Sequence, residues 1–334
     1  MATATAPVST SPKQITDAAV KAYVDNGFHV GEGLVSAAEL DELKADMVKL
    51  ARGGYPCKSL QPLPDSMSDQ EILQNILCLH QPHYISPVMK RFAEHPRICS
   101  VLSRITAAHL PHWDGAVKCM QTMLFVKPPG KQGQAWHQDE LYIPTRDRSL
   151  IGAWIAIDDA TIENGCLWVI PGSHQNGYLF QQKDHQQGSE YDFAQMSFGF
   201  DDSKAVPVEV KAGSVVFFNG YLLHKSLKNR SQVYRRALVS HYMNAWSLLP
   251  WFSTETPSGS TGIGTADSRS VIAVAGTDPY AWKGYAAMGD DVWLRTYAKD
   301  GDAAPAASTS ADPALEKFSA DAKAKESEKS TSKP

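Results

Sequence analysis

The stretch MQTMLFVKPPG at residues 120–130 sets the fold class. Eight residues rich in large apolar side chains end on two prolines and a glycine, which reads as a mostly buried strand closed by a turn. Similar runs recur at 150–157, 166–170, 206–210, 215–218 and 234–243. Turn residues separate them, at Asn164-Gly165, Pro171-Gly172-Ser173 and Gly213-Ser214. Upstream the period is helical. Residues 16–26 predict a helix stopped by Gly27, and 28–30 a short strand. Ser36 and Glu39 form a capping box, followed by Leu40, Leu43, Met47 and Leu50 at helical spacing as far as Gly53-Gly54. Short strands after a helical opening predict a mainly β fold, a sandwich or jelly roll with flanking helices.

The bulk numbers set the boundaries. A chain of 334 residues with 43% hydrophobic and 20% charged residues has an ordinary globular balance. One domain is expected over 13–300, between a disordered N-terminus at 1–12 and a disordered tail at 301–334 that is poor in large apolar residues. The segment 257–266 is rich in Gly and Ser and reads as a loop or linker. A formal net charge of -4 shows no basic excess, so nucleic acid is not an expected partner. No apolar run is long enough to span a membrane, and the first residues lack the pattern of a secretory signal. Five cysteines with no C-x-x-C pair are not a disulfide framework; reduced thiols and a cytoplasmic location are the expectation.

Chemistry concentrates at Trp136-His137-Gln138-Asp139-Glu140. In extended chain, residues two apart point the same way, so His137 and Asp139 can reach one ion while Gln138 faces away. Two histidines and one carboxylate on one face of a metal, with the other face open, is a ligand set of non-haem Fe(II). The tripeptide alone is weak, and a second copy, His112-Trp113-Asp114, sits between Pro111 and Gly115 and reads as a solvated turn. What distinguishes the first is a further histidine, His224, after the apolar run at 215–218, with Arg235 eleven residues beyond it. A guanidinium can hold a carboxylate through two hydrogen bonds. Arg236 competes for that role, since strand parity groups Arg235 with Ala237 and Val239 and Arg236 with Leu238 and Tyr242 without choosing a side. Proline spoils helical presentation of the pairs His80/His83 and His109/His112. His174 reads as a turn residue; His29, His95, His185 and His241 read as structural or exposed.

These motifs together resemble the phytanoyl-CoA dioxygenase family. The run at 120–129 is similar to the strand and turn before that family's metal motif, and His137-Gln138-Asp139 to its H-Q-D. Ala153-Trp154-Ile155-Ala156, the segment NGCLWVIPGSH at 164–174, His224-Lys225-Ser226 and Tyr234-Arg235 match in the same order. The resemblance covers about 14–245. It implies a double-stranded β-helix core, a cupin-like jelly roll, and a non-haem Fe(II)- and 2-oxoglutarate-dependent dioxygenase. It implies iron at His137, Asp139 and His224, and 2-oxoglutarate contacts from Met123, Trp154, Ser226 and Arg235. Dioxygen would be the co-reactant and a small organic metabolite the substrate, hydroxylated with release of succinate and carbon dioxide. The carboxylate of Asp139 favours hydroxylation over halogenation, because related halogenases lack it. Trp136, Tyr142, Trp168 and Tyr221 are candidates for lining the pocket. Two rival readings are a cupin-like metal isomerase or hydrolase, in which Arg235 would have no role, and a non-catalytic binding member of the fold.

Overall fold

The computed structural model describes residues 15–247, 270–283, 285 and 287–297. Both expected tails and the segment 257–266 lie outside the described residues. The described residues form five α-helices: α1 (Asp17–Asn26), α2 (Ala37–Ala51), α3 (Asp69–Leu73), α4 (Pro87–Ala93) and α5 (Pro96–Ile105). Strands β1 to β6 are Phe28–Gly31, Ile76–His80, Val117–Lys127, Gln134–His137, Ile151–Ala156 and Leu167–Val169. Strands β7 to β10 are Gln182–Lys183, Met196–Ser197, Val206–Val208 and Val215–Asn219. Strands β11 to β14 are His224–Ser226, Arg235–Asn244, Ile272–Ala275 and Trp293–Thr296. No helix among the described residues is long and apolar enough to cross a membrane.

Local chemistry sets the first elements. Thr16 caps α1 by accepting from the Ala19 amide, and Gly27, at φ 83°, takes the left-handed turn that ends it. Ser36 and Glu39 exchange side-chain and backbone hydrogen bonds at the start of α2. Pro87 and Pro96 open α4 and α5 in their first turns, where a missing N–H costs nothing.

The strands form two main sheets. The larger has the order β1-β10-β5-β12-β3-β2-β14, with β13 also on β3; the smaller runs β4-β11-β6-β9. The named strands pair antiparallel throughout, so the strands alternate faces and both faces of the larger sheet can be read by parity. Val215 and Phe217 of β10, Ile151, Ala153 and Ile155 of β5, and Leu238 and Tyr242 of β12 pack beneath the helices with Leu43, Met47, Leu50, Phe92 and Leu102. Their neighbours Val216, Phe218, Trp154, Ala156, Ala237 and Val239 turn the other way, onto Leu167, Val169 and Val208 of the smaller sheet. Leu43, Met47, Leu50 and Leu102 are fully buried, and each such side chain stabilises the fold by about 1.5–3 kcal/mol. The result is the expected jelly roll, with helices on its outer face.

The stretch after residue 245 contributes more than the sequence showed. Asp278 and Lys118 of β3 form an ion pair at 3.3 Å with neither side chain exposed, and Tyr285 donates to Asp278 at 3.0 Å. Tyr285 packs against Met120, Leu150 and Met243, so the chain at this point lies on the core. Strand β14 extends the larger sheet beside β2.

Within the smaller sheet, the chain entering β4 approaches β11 closely at one end. A Cβ on Gly133, just before β4, would lie 1.8 Å from the Ser226 carbonyl oxygen on β11 and 2.6 Å from its carbon. Backbone cannot yield as a side-chain tip can. Gly133→Ala is therefore expected to cost about 3 kcal/mol, lowering Tm by roughly 6–12 °C. Calorimetry checks this; an unchanged Tm would contradict the packing argument.

Candidate metal centre and its cavity

His137 closes β4 and His224 opens β11, and the two are direct cross-strand partners. Their rings stand 4.1 Å apart between centroids. The chain stays extended at Gln138 (φ -130°, ψ 126°), so Asp139 returns to the side of His137 before a 3-10 turn over Asp139–Leu141. Gln138 faces away, as parity requires: its amide donates to the Tyr178 and Tyr221 carbonyls and accepts from the Phe180 amide. Asp139 Oδ1 lies 3.6 Å from Nε2 of each histidine. Among the described residues, His137, Asp139 and His224 are the group that could hold a metal ion, with ligand atoms all within 4.8 Å of one another.

Hydrogen bonds fix the tautomers. His137 Nδ1 meets the Ala135 carbonyl at 2.8 Å and His224 Nδ1 the Leu222 carbonyl at 2.9 Å. A carbonyl only accepts, so each Nδ1 carries the proton and each Nε2 turns a lone pair toward Asp139. Burial pushes His137 down to about 3, with His224 beside it adding to the effect. For Asp139 burial acts upward, but His224, His241 and His137 outweigh it and hold the carboxyl well below its ordinary range. Two imidazole lone pairs and a carboxylate thus converge on one point. That donor set fits a divalent cation.

His241 holds the outer oxygen of the same carboxylate, Nε2 to Asp139 Oδ2 at 3.0 Å. The sequence reading left it merely structural or exposed. Yet the parity that groups Arg235 with Ala237 and Val239 reaches His241 one step further, and it is buried on that inner face.

The three side chains open into a cavity of about 990 Å³ between the sheets. Met123, Trp154, Ser226 and Arg235 all line it. The structure separates the two arginines. Arg236 turns outward and pairs with Asp158, at 2.7 Å from Nε and 2.6 Å from a terminal nitrogen. Arg235 is buried inside, its guanidinium 5.4 Å above the Trp154 ring, and its Nε has no hydrogen-bond partner. Lys127, whose Cα faces that of Arg235 across the β3–β12 ladder, is buried in the same wall. It shares a strand face with Met123 and Phe125, a parity that the sequence itself carries. Burial, reinforced by Arg235, pushes Lys127 well below the ordinary lysine range. No acidic group among the described residues forms an ion pair with either cation.

The aromatic candidates divide. Tyr142 lines the cavity; Trp136, Trp168 and Tyr221 do not. Trp136 packs instead with Ile170 and Leu223, and Tyr221 lies under the Arg148 guanidinium. The cavity's far wall comes from Tyr84, Tyr191 and Phe193, and from Trp293, Arg295 and Tyr297 on or beside β14. Arg295 meets Asp192 at 3.5 Å. His112 lies in an exposed turn at φ 64°, and Asp114 caps the Ala116 amide, so the second H-x-D is a turn as expected.

Comparison with known proteins agrees with this architecture. A family model described as Phytanoyl-CoA dioxygenase (PhyH) matches residues 23–237. Phytanoyl-CoA dioxygenase 1 of Oryza sativa subsp. japonica is 35% identical over 183 residues, covering 53% of this chain and 62% of that protein. The peroxisomal phytanoyl-CoA dioxygenase of Homo sapiens is 28% identical over 234 residues, 67% of each chain. The chain thus spans about three-fifths of the length of the first plant relatives it matches, 62% and 56%. Among solved structures, the non-heme monooxygenase ThoJ superposes with a TM-score of 0.54 at 19% identity, covering 90% of this chain and 93% of that one. The α-ketoglutarate-dependent carbocyclase SnoK from nogalamycin biosynthesis gives 0.52 at 22% identity, covering 72% and 88%. At these identities the structures establish the fold.

The buried histidines carry a pH consequence. Burial lowers His29, His83 (to about 4), His95, His137 (to about 3) and His174. A folded pKa below the unfolded value, about 6.5, favours the neutral form in the fold. That contribution is complete above the unfolded pKa and is lost as pH falls toward the folded values. Glu140, raised by burial to about 7, acts in the opposite sense, since its contribution fades as pH rises through 7. Five histidines outweigh it. Metal-free protein is expected to lose at least ~5 °C of Tm between pH 7.5 and pH 5; a Tm that holds or rises on acidification would contradict this balance.

Proposed function

The chain belongs to the phytanoyl-CoA dioxygenase family, and from that premise we propose that it is a non-haem Fe(II)- and 2-oxoglutarate-dependent dioxygenase acting on a small organic molecule. One observation carries the reading: a buried metal-binding triad and the buried guanidinium of Arg235, with no ion-pair partner among the described residues, share one cavity. The cation site suits Fe(II). Arg235 suits the far carboxylate of a dicarboxylate whose other end reaches the metal. The rival readings, a metal isomerase or hydrolase and a non-catalytic member, leave Arg235 buried with no anion to bind, at a cost that folding alone does not offset.

His137, Asp139 and His224 would hold the iron through two Nε2 atoms and a carboxylate oxygen. Arg235 and Ser226 would hold the far carboxylate of 2-oxoglutarate, with Trp154 and Met123 as the wall along its length. When bound, iron and 2-oxoglutarate together supply the power to oxidise a C–H bond with dioxygen, releasing succinate and carbon dioxide. The protein's part is orientation and exclusion of water. His241 and the Ala135 and Leu222 carbonyls fix the directions of the three ligands. Phe218 packs against His224 at 4.7 Å between centroids and keeps that side dry. Tyr142, Phe193 and Trp293, together with Gln81 and Gln182, offer the substrate rings and amide hydrogen bonds on the remaining wall.

Anaerobic titration of Fe(II)-loaded protein with 2-oxoglutarate, followed by its visible absorption, tests the reading. Wild type is expected to develop the band, His224→Ala to lose it, and Arg235→Ala to need at least about tenfold more 2-oxoglutarate. Folded, iron-loaded wild type without a band would sink the proposal. Asp139→Ala is expected to form no succinate. His241→Phe is expected to weaken Fe(II) binding by about 10- to 100-fold in calorimetric titration, with the fold retained; unchanged affinity would show that Asp139 needs no such support.

A further inference from the structure

Lys127 is a long basic side chain, only 3% exposed, set directly opposite Arg235. Like charges at paired positions repel, so the arrangement calls for a reason. Its hydrogen bonds give one. Nζ reaches Ser226 Oγ at 2.9 Å, the Leu227 carbonyl at 2.7 Å and the Gly165 carbonyl at 3.3 Å. An ammonium has three protons, and here each has an acceptor. Lys127 therefore has no donor left for a ligand. Ser226 Oγ accepts a second hydrogen bond, from the Gln134 amide at 3.3 Å. Both its lone pairs are then taken by donors, and its own proton has no acceptor among the described residues. Ser226 lines the cavity beside Arg235.

The backbone around this ammonium is shaped to it. Gly165, at φ 81°, leaves room where a Cβ would stand 3.0 Å from Lys127 Nζ and 2.3 Å from the Leu227 carbonyl oxygen. Asn229 ties the Lys127 carbonyl at 3.0 Å, fixing the end of β3 from which the side chain reaches.

We propose that Lys127 is a positioning residue for 2-oxoglutarate: its ammonium occupies the lone pairs of Ser226 jointly with the Gln134 amide, leaving the hydroxyl as an obligate donor to the far carboxylate held by Arg235. This rests on the functional reading above and adds to it a residue that does not touch the cosubstrate. A carboxylate arriving between Arg235 and Ser226 also supplies the negative charge that keeps Lys127 in its ammonium form. The end of the cavity is then selective for a dicarboxylate over a keto acid with an apolar tail, because an unfilled set of buried donors rejects the ligand that lacks the acceptor.

The test compares 2-oxoglutarate with 2-oxopentanoate, which keeps the keto acid end and lacks the far carboxylate, in anaerobic binding to Fe(II)-loaded protein. Wild type should favour 2-oxoglutarate by about 100-fold or more. Lys127→Met should cut that preference at least about tenfold, leaving 2-oxopentanoate affinity within about twofold. Ser226→Ala should do the same, and the double variant should be no worse than the weaker single one, because both remove one interaction. Lys127→Gln, which keeps a donor and loses the charge, should fall between; it and Ser226→Ala carry the comparison should Lys127→Met not fold. Equal loss of both keto acids, full retention of 2-oxoglutarate, or additive losses in the double variant would each make Lys127 a packing residue and overturn the inference. Lysine variants that bind like a wild type competent for 2-oxoglutarate sink this inference alone; a wild type that binds neither keto acid sinks the functional reading with it.

Discussion

The register of β12 between β3 and β5 is the constraint on which the rest depends. This ten-residue strand sends Arg235, Val239 and His241 into the cavity, Ala237 into the core between the sheets, and Arg236, Leu238 and Tyr242 to the opposite face, the last two against the helices. A slip of one residue would exchange the two sets. Arg236 would enter the cavity without its Asp158 partner, Tyr242 would displace His241 from Asp139, and the helices would meet polar groups where they now meet Leu238. The hydrophobic energy of the outer face therefore enforces the chemistry of the inner one. Pairing with β3 fixes Lys127 opposite Arg235, and pairing with β5 places Trp154 opposite Val239, under the guanidinium.

Much of this was legible in the sequence, and the gaps have physical causes. Thr16, Ser36, Glu39 and Gly27 announced their caps because capping is local. The long strands announced themselves by apolar runs and turn residues. Strands β4 and β11, four and three residues long, did not, since a run that short has no measurable period. They are defined by their partners, and His137 opposite His224 is a fact of pairing that no local pattern contains. Parity sorted Arg235 from Arg236 into two faces but could not say which face was inside. That needed an absolute reference, supplied by Val216 and Val239 flanking Trp154.

The residues that escaped notice share a cause as well. The parity that groups Arg235 with Val239 reaches His241 as well, and the same rule applied to the strand at 120–127 groups Lys127 with Met123. Charged and titratable groups on a strand otherwise apolar are expensive to bury, and that expense was itself the signal. The wall formed by Trp293, Arg295 and Tyr297 had no such signal. It depends on β14 returning to β2 over more than two hundred residues of intervening chain, a contact set by the whole sheet.

The electrostatics of the cavity bring these strands into one argument. At one end stand two imidazole lone pairs and the Asp139 carboxylate; at the other, Arg235 and Lys127, to which no carboxylate among the described residues is ion-paired. Pairing them directly would have been cheaper, but the strand geometry keeps them on separate walls, Asp139 after β4 and Arg235 with Lys127 on the β3–β12 ladder. Each end is thereby left in deficit of the charge the other holds. A metal ion alone would satisfy only the first end and an inorganic anion only the second. A molecule that chelates a metal at one end and carries a carboxylate at the other satisfies both at once, which is why the fold's unpaired charges point to a chelating dicarboxylate and a divalent metal taken together.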